Sequence, residues 1–367
     1  MLALCSLSLS HFRSHKQTRL DLPPGPIAIY GPNGAGKTNI LEAVSLLSPG
    51  RGLRGVKASD MARAPERLGW KIKAQLQSLG QLHEIETAWT GPNSGRSVTI
   101  DDKAATQSAL GQVARMVWLV PVMDRLWVEG AEGRRRFLDR MTLSFEPNHA
   151  QLSLDYAKAM AQRNRLLKDQ VRNPSWYDAL EHQMAQTGAQ IMAHRAQVMA
   201  KLIAAQSSAS AAFPVADLAL SHVDGEDLPD TADDLQELFA SSRAQDAIAG
   251  RALVGPHRID MMARYKAKDM VAKDCSTGEQ KALLVSLILA NSRALAAELA
   301  APPILLLDEV AAHLDEDRRS ALYAEITSLK AQAFMTGTGP ELFDALGDLA
   351  HKLRIDYKTD GSTSVSI

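Results

Sequence analysis

The chain has 367 residues, 46% of them hydrophobic, enough for about two ordinary domains with their own cores and too apolar for disorder to be the default. Lysine and arginine number 41 against 42 acidic residues, a net charge of −1, so no overall basic field marks a nucleic-acid binder and a polyanion must meet a local patch. The longest apolar runs, residues 282–290 and 302–307, fall short of the roughly 18 residues that a bilayer crossing demands, so a soluble, cytoplasmic chain without membrane partners is expected.

In residues 1–10 no lysine or arginine precedes the apolar part and no small-residue cleavage site follows, which argues against a signal peptide. Leu2, Leu4, Leu7 and Leu9 nearly alternate and predict a half-buried strand. Short β-like runs follow at residues 27–30, 71–76, 84–89 and 98–101, so residues 1–115 read as α/β material. Cys5 and Cys275 are far apart and lack companion ligands, which indicates neither a disulfide framework nor a zinc site.

The glycine-rich turn in this stretch, Gly31-Pro-Asn-Gly-Ala-Gly-Lys-Thr38, fills the pattern G-x-x-x-x-G-K-[ST] between the strand at 27–30 and a helical run at 39–47. Gly31, Gly34 and Gly36 let the backbone fold so closely that successive N–H groups point at a polyphosphate, to which the helix adds its positive end. Lys37 is expected to reach the β and γ phosphates of ATP, and Thr38 to offer its hydroxyl to Mg2+. Asn33, Ala35 and Asn39 complete the predicted binding stretch.

Over residues 116–249 helical spacing takes over, interrupted at Pro174, at Pro214 and at an acidic loop, 224–230; an Ala/Ser stretch covers 204–212. Tyr177, Met184, Ile191 and Val198 recur every seven residues, and Leu152, Tyr156, Met160 and Leu167 share one face, which predicts an antiparallel helical pair in a small lobe. Arg134, Arg135 and Arg136 form the densest basic cluster, and Arg163, Arg165, Lys168 and Arg172 lie along one helical segment. These read either as a phosphate-tracking surface or as a solvated face with i,i+4 pairs, an arginine anchoring the lobe to the head through Asp139. His257 and Arg258 follow a Gly-Pro turn that can hold them for structural reasons alone.

After Gly250 strands and turns return, so residues 1–115 and 250–367 are expected to build one α/β head with the mainly helical lobe, 116–249, inserted in it. Ser276-Thr-Gly-Glu-Gln-Lys281 opens a long apolar helix; Ser276, Gly278, Glu279 and Gln280 fit a second anion site, and Ser276 with Glu279 fits a capping box equally well. Ile304-Leu-Leu-Leu-Asp-Glu309 reads as a buried parallel strand delivering two carboxylates to a nucleotide site. Asp308 is the predicted second metal residue beside Thr38, and Glu309, with Lys37, the predicted catalytic pair, Glu309 polarising the attacking water.

Cradle, serine–glycine element, Asp-Glu strand and the following Leu314-Asp315 occur in the order used by the ATP-binding-cassette (ABC) superfamily, which the chain resembles. That resemblance implies an ABC-type ATPase head in which the serine–glycine element closes over the γ-phosphate held by a second copy, hence ATP-dependent homodimerisation. Transporter cassettes place the serine–glycine element much closer to the cradle than Ser276 lies to Lys37, and SMC proteins insert far longer coiled coils there. A short helical insertion is similar to the bacterial RecF family. The stretches that carry this resemblance are Leu9-Ser-His-Phe-Arg13, Lys37-Thr-Asn-Ile-Leu-Glu42, Gly50-Arg-Gly-Leu-Arg54, Glu132-Gly-Arg-Arg-Arg-Phe-Leu-Asp139, Gly255-Pro-His-Arg258 with Asp260, and Leu305-Leu-Leu-Asp-Glu-Val-Ala-Ala-His-Leu-Asp315. The chain departs from the family at His11, at Val122-Met123 and at Ile259. Near the end, Phe334-Met-Thr-Gly-Thr338 falls where transporters carry a switch histidine, so a threonine serves there or nothing does. Membership implies binding of gapped or junction DNA in recombinational repair and the SOS response, with RecR and RecO helping to load RecA, and a slow ATPase that resets the protein. The alternatives are a soluble ATPase subunit of a membrane transporter and an ATPase fused to a nuclease; the residues after Asp315 leave no room for the latter's metal-binding domain.

Overall fold

The near-alternation of the first leucines is resolved by a bulge. In the computed structural model, strand β1 (Ala3–Phe12) pairs with its neighbours with a register slip between Leu4 and Ser6, which returns Leu7 and Leu9 to the face already holding Leu4. All three leucines are fully buried, while Ser6, Ser8 and Ser10 occupy the other face. Residues 2–64, 66–208, 212–222, 225, 228–310, 314–357 and 362–366 are described. Asp224, Glu226 and Asp227 of the acidic loop, residues 209–211 of the Ala/Ser stretch and residues 311–313 after the Asp-Glu strand lie outside them.

In chain order, β1 is followed by β2 (His15–Asp21), β3 (Pro26–Tyr30), α1 (Lys37–Ser45), β4 (Trp70–Ser78), β5 (Gln81–Trp89), β6 (Ser97–Ile100), β7 (Lys103–Ala105), α2 (Leu110–Val113) and β8 (Met116–Leu119). Then come α3 (Ala131–Phe145), α4 (His149–Lys168), α5 (Pro174–Ala205), β9 (Ala216–His222), α6 (Ala232–Ala249), β10 (Ile259–Tyr265) and β11 (Met270–Val271). The chain ends with α7 (Thr277–Leu299), β12 (Ile304–Leu307), α8 (Glu316–Ser328), β13 (Ala333–Gly337), β14 (His351–Tyr357) and β15 (Thr363–Ser366).

Two compact units result: Met1–Asp124 with Ala205–Val215 and Ser276–Ile367, and Arg125–Ala204 with Ala216–Cys275. The first unit holds an antiparallel sheet, β2-β1-β4-β5-β6-β7, and a mostly parallel sheet, β15-β14-β3-β13-β12-β8. Its core runs from Leu7, Leu9 and Ile72 through Ile27, Ile29 and Ile40 to Ile304 and Leu306; each such side chain withdrawn from water contributes about 1.5–3 kcal/mol. Gln332 ties the two sheets, accepting from Leu4 N–H at 2.7 Å and donating to Leu4 O at 2.9 Å. Helix α7, with mean hydropathy 1.5, has the length and composition of a bilayer span although no single apolar run in it does. Of its most apolar 18-residue stretch 67% is buried, as in the core helix of a folded domain.

The second unit is built on α4, α5 and α6, with Leu152, Tyr156, Met184, Ile191, Leu235 and Phe239 in one cluster. The heptad residues Tyr177, Met184, Ile191 and Val198 are all buried. The predicted lobe changes at three places. Residues 116–124 belong to the first unit, 116–119 as the edge strand β8, parallel to β12 with Leu119 opposite Leu307; residues 205–215 also belong to the first unit; and residues 250–275 belong to the second, where β10 pairs antiparallel with β9 and β11. The unit is therefore not all helical.

Candidate nucleotide-binding site

The cradle lies between β3 and α1, and the space around its glycines is already filled. A Cβ on Gly31 would sit 2.0 Å from Ile355 O, one on Gly34 2.4 Å from the Tyr357 hydroxyl, and one on Gly36 2.5 Å from Ser14 Oγ; Gly34 and Gly36 also have φ of +78° and +106°. The loop's carbonyls are engaged by side chains. Lys37 Nζ donates to Gly31 O (2.7 Å) and Pro32 O (3.0 Å), Tyr357 OH to Asn33 O (2.9 Å) and Thr363 Oγ1 to Ala35 O (2.9 Å). His15 Nε2 lies 3.4 Å from Gly36 O, and burial lowers its pKa to about 4, so the ring is neutral. Carbonyls held by side chains in this way suit a loop that offers N–H groups to a polyphosphate. Tyr357, Thr363 and His15 escaped sequence reasoning because each is remote from the cradle and carries no pattern. Substitution Gly31→Ala must displace the loop from Ile355, and we expect it to weaken ATP binding roughly a hundredfold, about 2.8 kcal/mol, by isothermal titration.

Two carboxylates enter from β12, whose four residues are all buried. Asp308 faces Thr38, whose Oγ1 lies 2.9 and 3.1 Å from its two oxygens, and also accepts from Thr336 Oγ1 at 2.8 Å. Glu309 follows with φ +54°, and its N–H donates to the same Thr336 oxygen at 2.8 Å. Burial pulls the Lys37 ammonium below the usual lysine range, and the charges of Glu309 and Asp308 work against that pull. Lys37, Thr38, Asp308 and Glu309 thus come together. A hydroxyl and a carboxylate facing each other beside a phosphate cradle are hard oxygen donors, and they fit Mg2+.

Beside α1, Glu42 is fully buried and holds two arginines, Arg13 through paired bonds of 2.8 and 2.7 Å and Arg54 at 2.7 Å. Arg54 also donates to Asn39 Oδ1 at 2.9 Å. A cavity of about 990 Å3 opens here, lined by Arg13, Asn39, Arg54, Lys57, Arg67 and Trp89 among others.

Ser276 caps α7 in a reciprocal capping box: its Oγ accepts from Glu279 N–H, and Glu279 Oε2 accepts from Ser276 N–H at 2.9 Å. Its hydrogen bonds go to its own helical turn and not to the cradle, and Ser276 and Gly278 are exposed, with open space around the Gly278 Cα. Gln280 is buried, and Lys281 pairs with Asp124 at 3.2 Å.

Of the seven basic residues that could form a phosphate-tracking surface, Arg134, Arg135 and Arg163 are engaged within the fold, and Arg136, Arg165, Lys168 and Arg172 are exposed. Arg163 is fully buried in the second unit, donating to Glu181 (2.8 Å), Asp246 (2.6 Å) and Phe239 O (2.8 Å); it cannot track phosphates. Arg134 forms a two-bond pair with Asp260, and Arg135 donates to Ile259 O at 3.2 Å. Asp139 does not anchor one unit to the other: it takes two bonds from Arg195 and one from His149, all within the second unit. Burial pushes its carboxyl up, but Arg195 and His149 outweigh that and hold it at about 2. His257 bonds Tyr156 OH at 2.8 Å, the structural role its turn allowed. Arg136 and Arg165 remain exposed, each beside an i,i+4 acid.

Comparison with known proteins decides the family. The family described as RecF/RecN/SMC N terminal domain matches residues 3–352. A DNA replication and repair protein RecF of Brucella suis is 48% identical over 352 residues, 93% of this chain and 91% of that protein, and the one of Mesorhizobium japonicum is 44% identical over 98% of both. The chain belongs to the RecF family. As a RecF-family protein it is a DNA replication and repair ATPase, and the transporter-subunit alternative falls away. Its fold agrees: a solved structure of the recombination mediator protein RecF-ATPrS in the RecFOR pathway superposes with a TM-score of 0.83 at 23% identity, covering 100% of this chain and 98% of that one. The Smc head domain of Pyrococcus furiosus superposes with a TM-score of 0.57 at 16% identity, so the ABC-type head is the fold RecF and SMC proteins share.

Proposed function

We propose that this protein is an ATP-driven clamp on gapped or junction DNA, which pairs with a second copy when ATP is bound and releases when ATP is hydrolysed. On this reading it acts in the cytoplasm with RecR and RecO to promote RecA loading at single-strand gaps. The observation that carries it is the convergence of Lys37, Thr38, Asp308 and Glu309 at a braced phosphate cradle, while Ser276 and Gly278 stand exposed at the start of α7, bonded to nothing in that cradle. A phosphate-binding element left open on the surface fits a γ-phosphate presented by another molecule.

The chain's own groups do the following. The cradle's N–H groups and the N-terminus of α1 bind the phosphates, and Lys37 exchanges its loop carbonyls for β and γ oxygens. The cavity beside Arg13, Asn39 and Arg54 takes the base and ribose. Mg2+, held by Thr38 and Asp308, would supply charge neutralisation across the β and γ phosphates. Glu309 accepts a proton from water as that water bonds to the γ-phosphorus and the bond to the β,γ-bridging oxygen breaks, giving ADP and phosphate. Hydrolysis removes the group that joins the two copies, so the pair loosens; the ATPase is a slow switch rather than a metabolic engine. Ser276→Arg places bulk and charge where the neighbour's phosphate must enter. It is expected to leave ATP binding by the monomer unchanged in isothermal titration and to abolish ATP-dependent pairing in gel filtration; normal pairing by this variant sinks the closure across copies.

A further inference from the structure

Thr336 stands at the C-terminal end of β13, the strand flanked by β3 on one side and β12 on the other. Its register, Thr336 opposite Ile29 with Met335 opposite Leu307, brings it level with the ends of the strands that deliver the cradle and the two carboxylates. The side chain is fully buried. A threonine hydroxyl has one proton to give and lone pairs to receive with. Here the proton goes to Asp308 Oδ1 and a lone pair takes the Glu309 N–H, each at 2.8 Å. Asp308 also receives the Thr38 hydroxyl, so two donors, one from the first turn of α1 and one from the end of β13, fix that carboxylate. Glu309 has φ +54°, a region that a residue with a side chain occupies only when its surroundings hold it there.

We propose that Thr336 is a positioning residue for ATP hydrolysis: one hydroxyl locks the backbone of Glu309 in its left-handed turn and orients the Asp308 carboxylate, so both acids are set by a strand end that never touches the nucleotide. The proposal rests on the reading of Glu309 as general base. It also gives a role to one threonine of the stretch Phe334-Met-Thr-Gly-Thr338. Valine has the same outline and neither donor nor acceptor. Thr336→Val therefore strands the Glu309 N–H, removes one of the two hydroxyls on Asp308 and leaves the cradle alone.

The test compares equilibrium ATP binding and single-turnover hydrolysis in Thr336→Val, Thr336→Ala, Thr336→Ser and Glu309→Gln. Alanine, which cannot crowd the strand, keeps the result independent of how valine folds. Valine and alanine should bind ATP within about twofold of wild type and hydrolyse it about 100-fold more slowly, with serine restoring the rate to within about threefold. Wild-type turnover in the valine and alanine variants overturns the proposal. So does a parallel loss of affinity and rate, or a serine variant as slow as valine. Glu309→Gln separates the two ideas: if it hydrolyses ATP normally the general-base reading fails, whereas an inert Glu309→Gln beside an active Thr336→Val removes this proposal alone.

Discussion

Glu309→Gln is expected to bind ATP as tightly as wild type and to hydrolyse it about 10²–10⁴-fold more slowly, the range that a lost general base commonly costs. The expectation follows from where the charges sit. Phosphate affinity comes from the cradle's N–H groups and Lys37, whose bonds to the loop carbonyls the amide leaves in place although it removes one of the two carboxylate charges beside it, whereas proton transfer needs a carboxylate that an amide cannot replace. Glutamine preserves the size of the side chain and the backbone bond to Thr336, so the left-handed turn survives. Because ATP then persists, the variant should also accumulate as the paired form. A rate within threefold of wild type, measured by phosphate release under single turnover, moves the general base elsewhere.

The second large effect lies in the other unit. Arg163→Ala is expected to destabilise the protein by about 3–5 kcal/mol in urea unfolding, because it abandons two buried carboxylates at once. Glu181 and Asp246 are both fully buried, and the guanidinium reaches each of them and the Phe239 carbonyl from the middle of α4. Arg243 remains on Glu181 from the other side and retains part of that pair, whereas Asp246 keeps, among the described residues, the Ser242 hydroxyl at 2.8 Å and the Leu253 N–H at 2.9 Å. Arg163→Lys keeps the charge without the three-way fork and should fall between the two. A loss below about 1 kcal/mol on alanine substitution would show the network to be dispensable.

The fate of Arg163 shows where sequence reasoning stops. Tyr156, Ala159, Arg163 and Leu167 are spaced at three, four and four along one helix, so periodicity itself placed the arginine on the buried stripe. Glu181 lies likewise between Tyr177 and Met184 on the buried face of α5. Counting Arg163 with its exposed neighbours Arg165 and Lys168 by charge, rather than with Tyr156 and Leu167 by phase, put it among the surface residues in both readings of that segment. Its third partner, Asp246, comes from α6, and no local pattern foretells that meeting. Strand β9 was missed for another reason: its alternation, Ala216-Asp-Leu-Ala-Leu-Ser-His222, holds just two large apolar residues, Leu218 and Leu220, and no β-branched or aromatic one. The cradle, the Asp-Glu strand and the capped helix were legible because each is a local pattern whose chemistry follows from spacing alone. The braces around them, Tyr357, Thr363 and Thr336, arrive from strands distant in sequence and became visible only with the sheet order.

The clamp stands or falls on whether ATP joins two copies, and light scattering of Glu309→Gln with and without ATP and Mg2+ measures this directly. The account predicts the mass of one chain, 39.8 kDa, without nucleotide and twice that mass with it, the change being lost when Ser276→Arg is added. An unchanged mass at saturating ATP contradicts it.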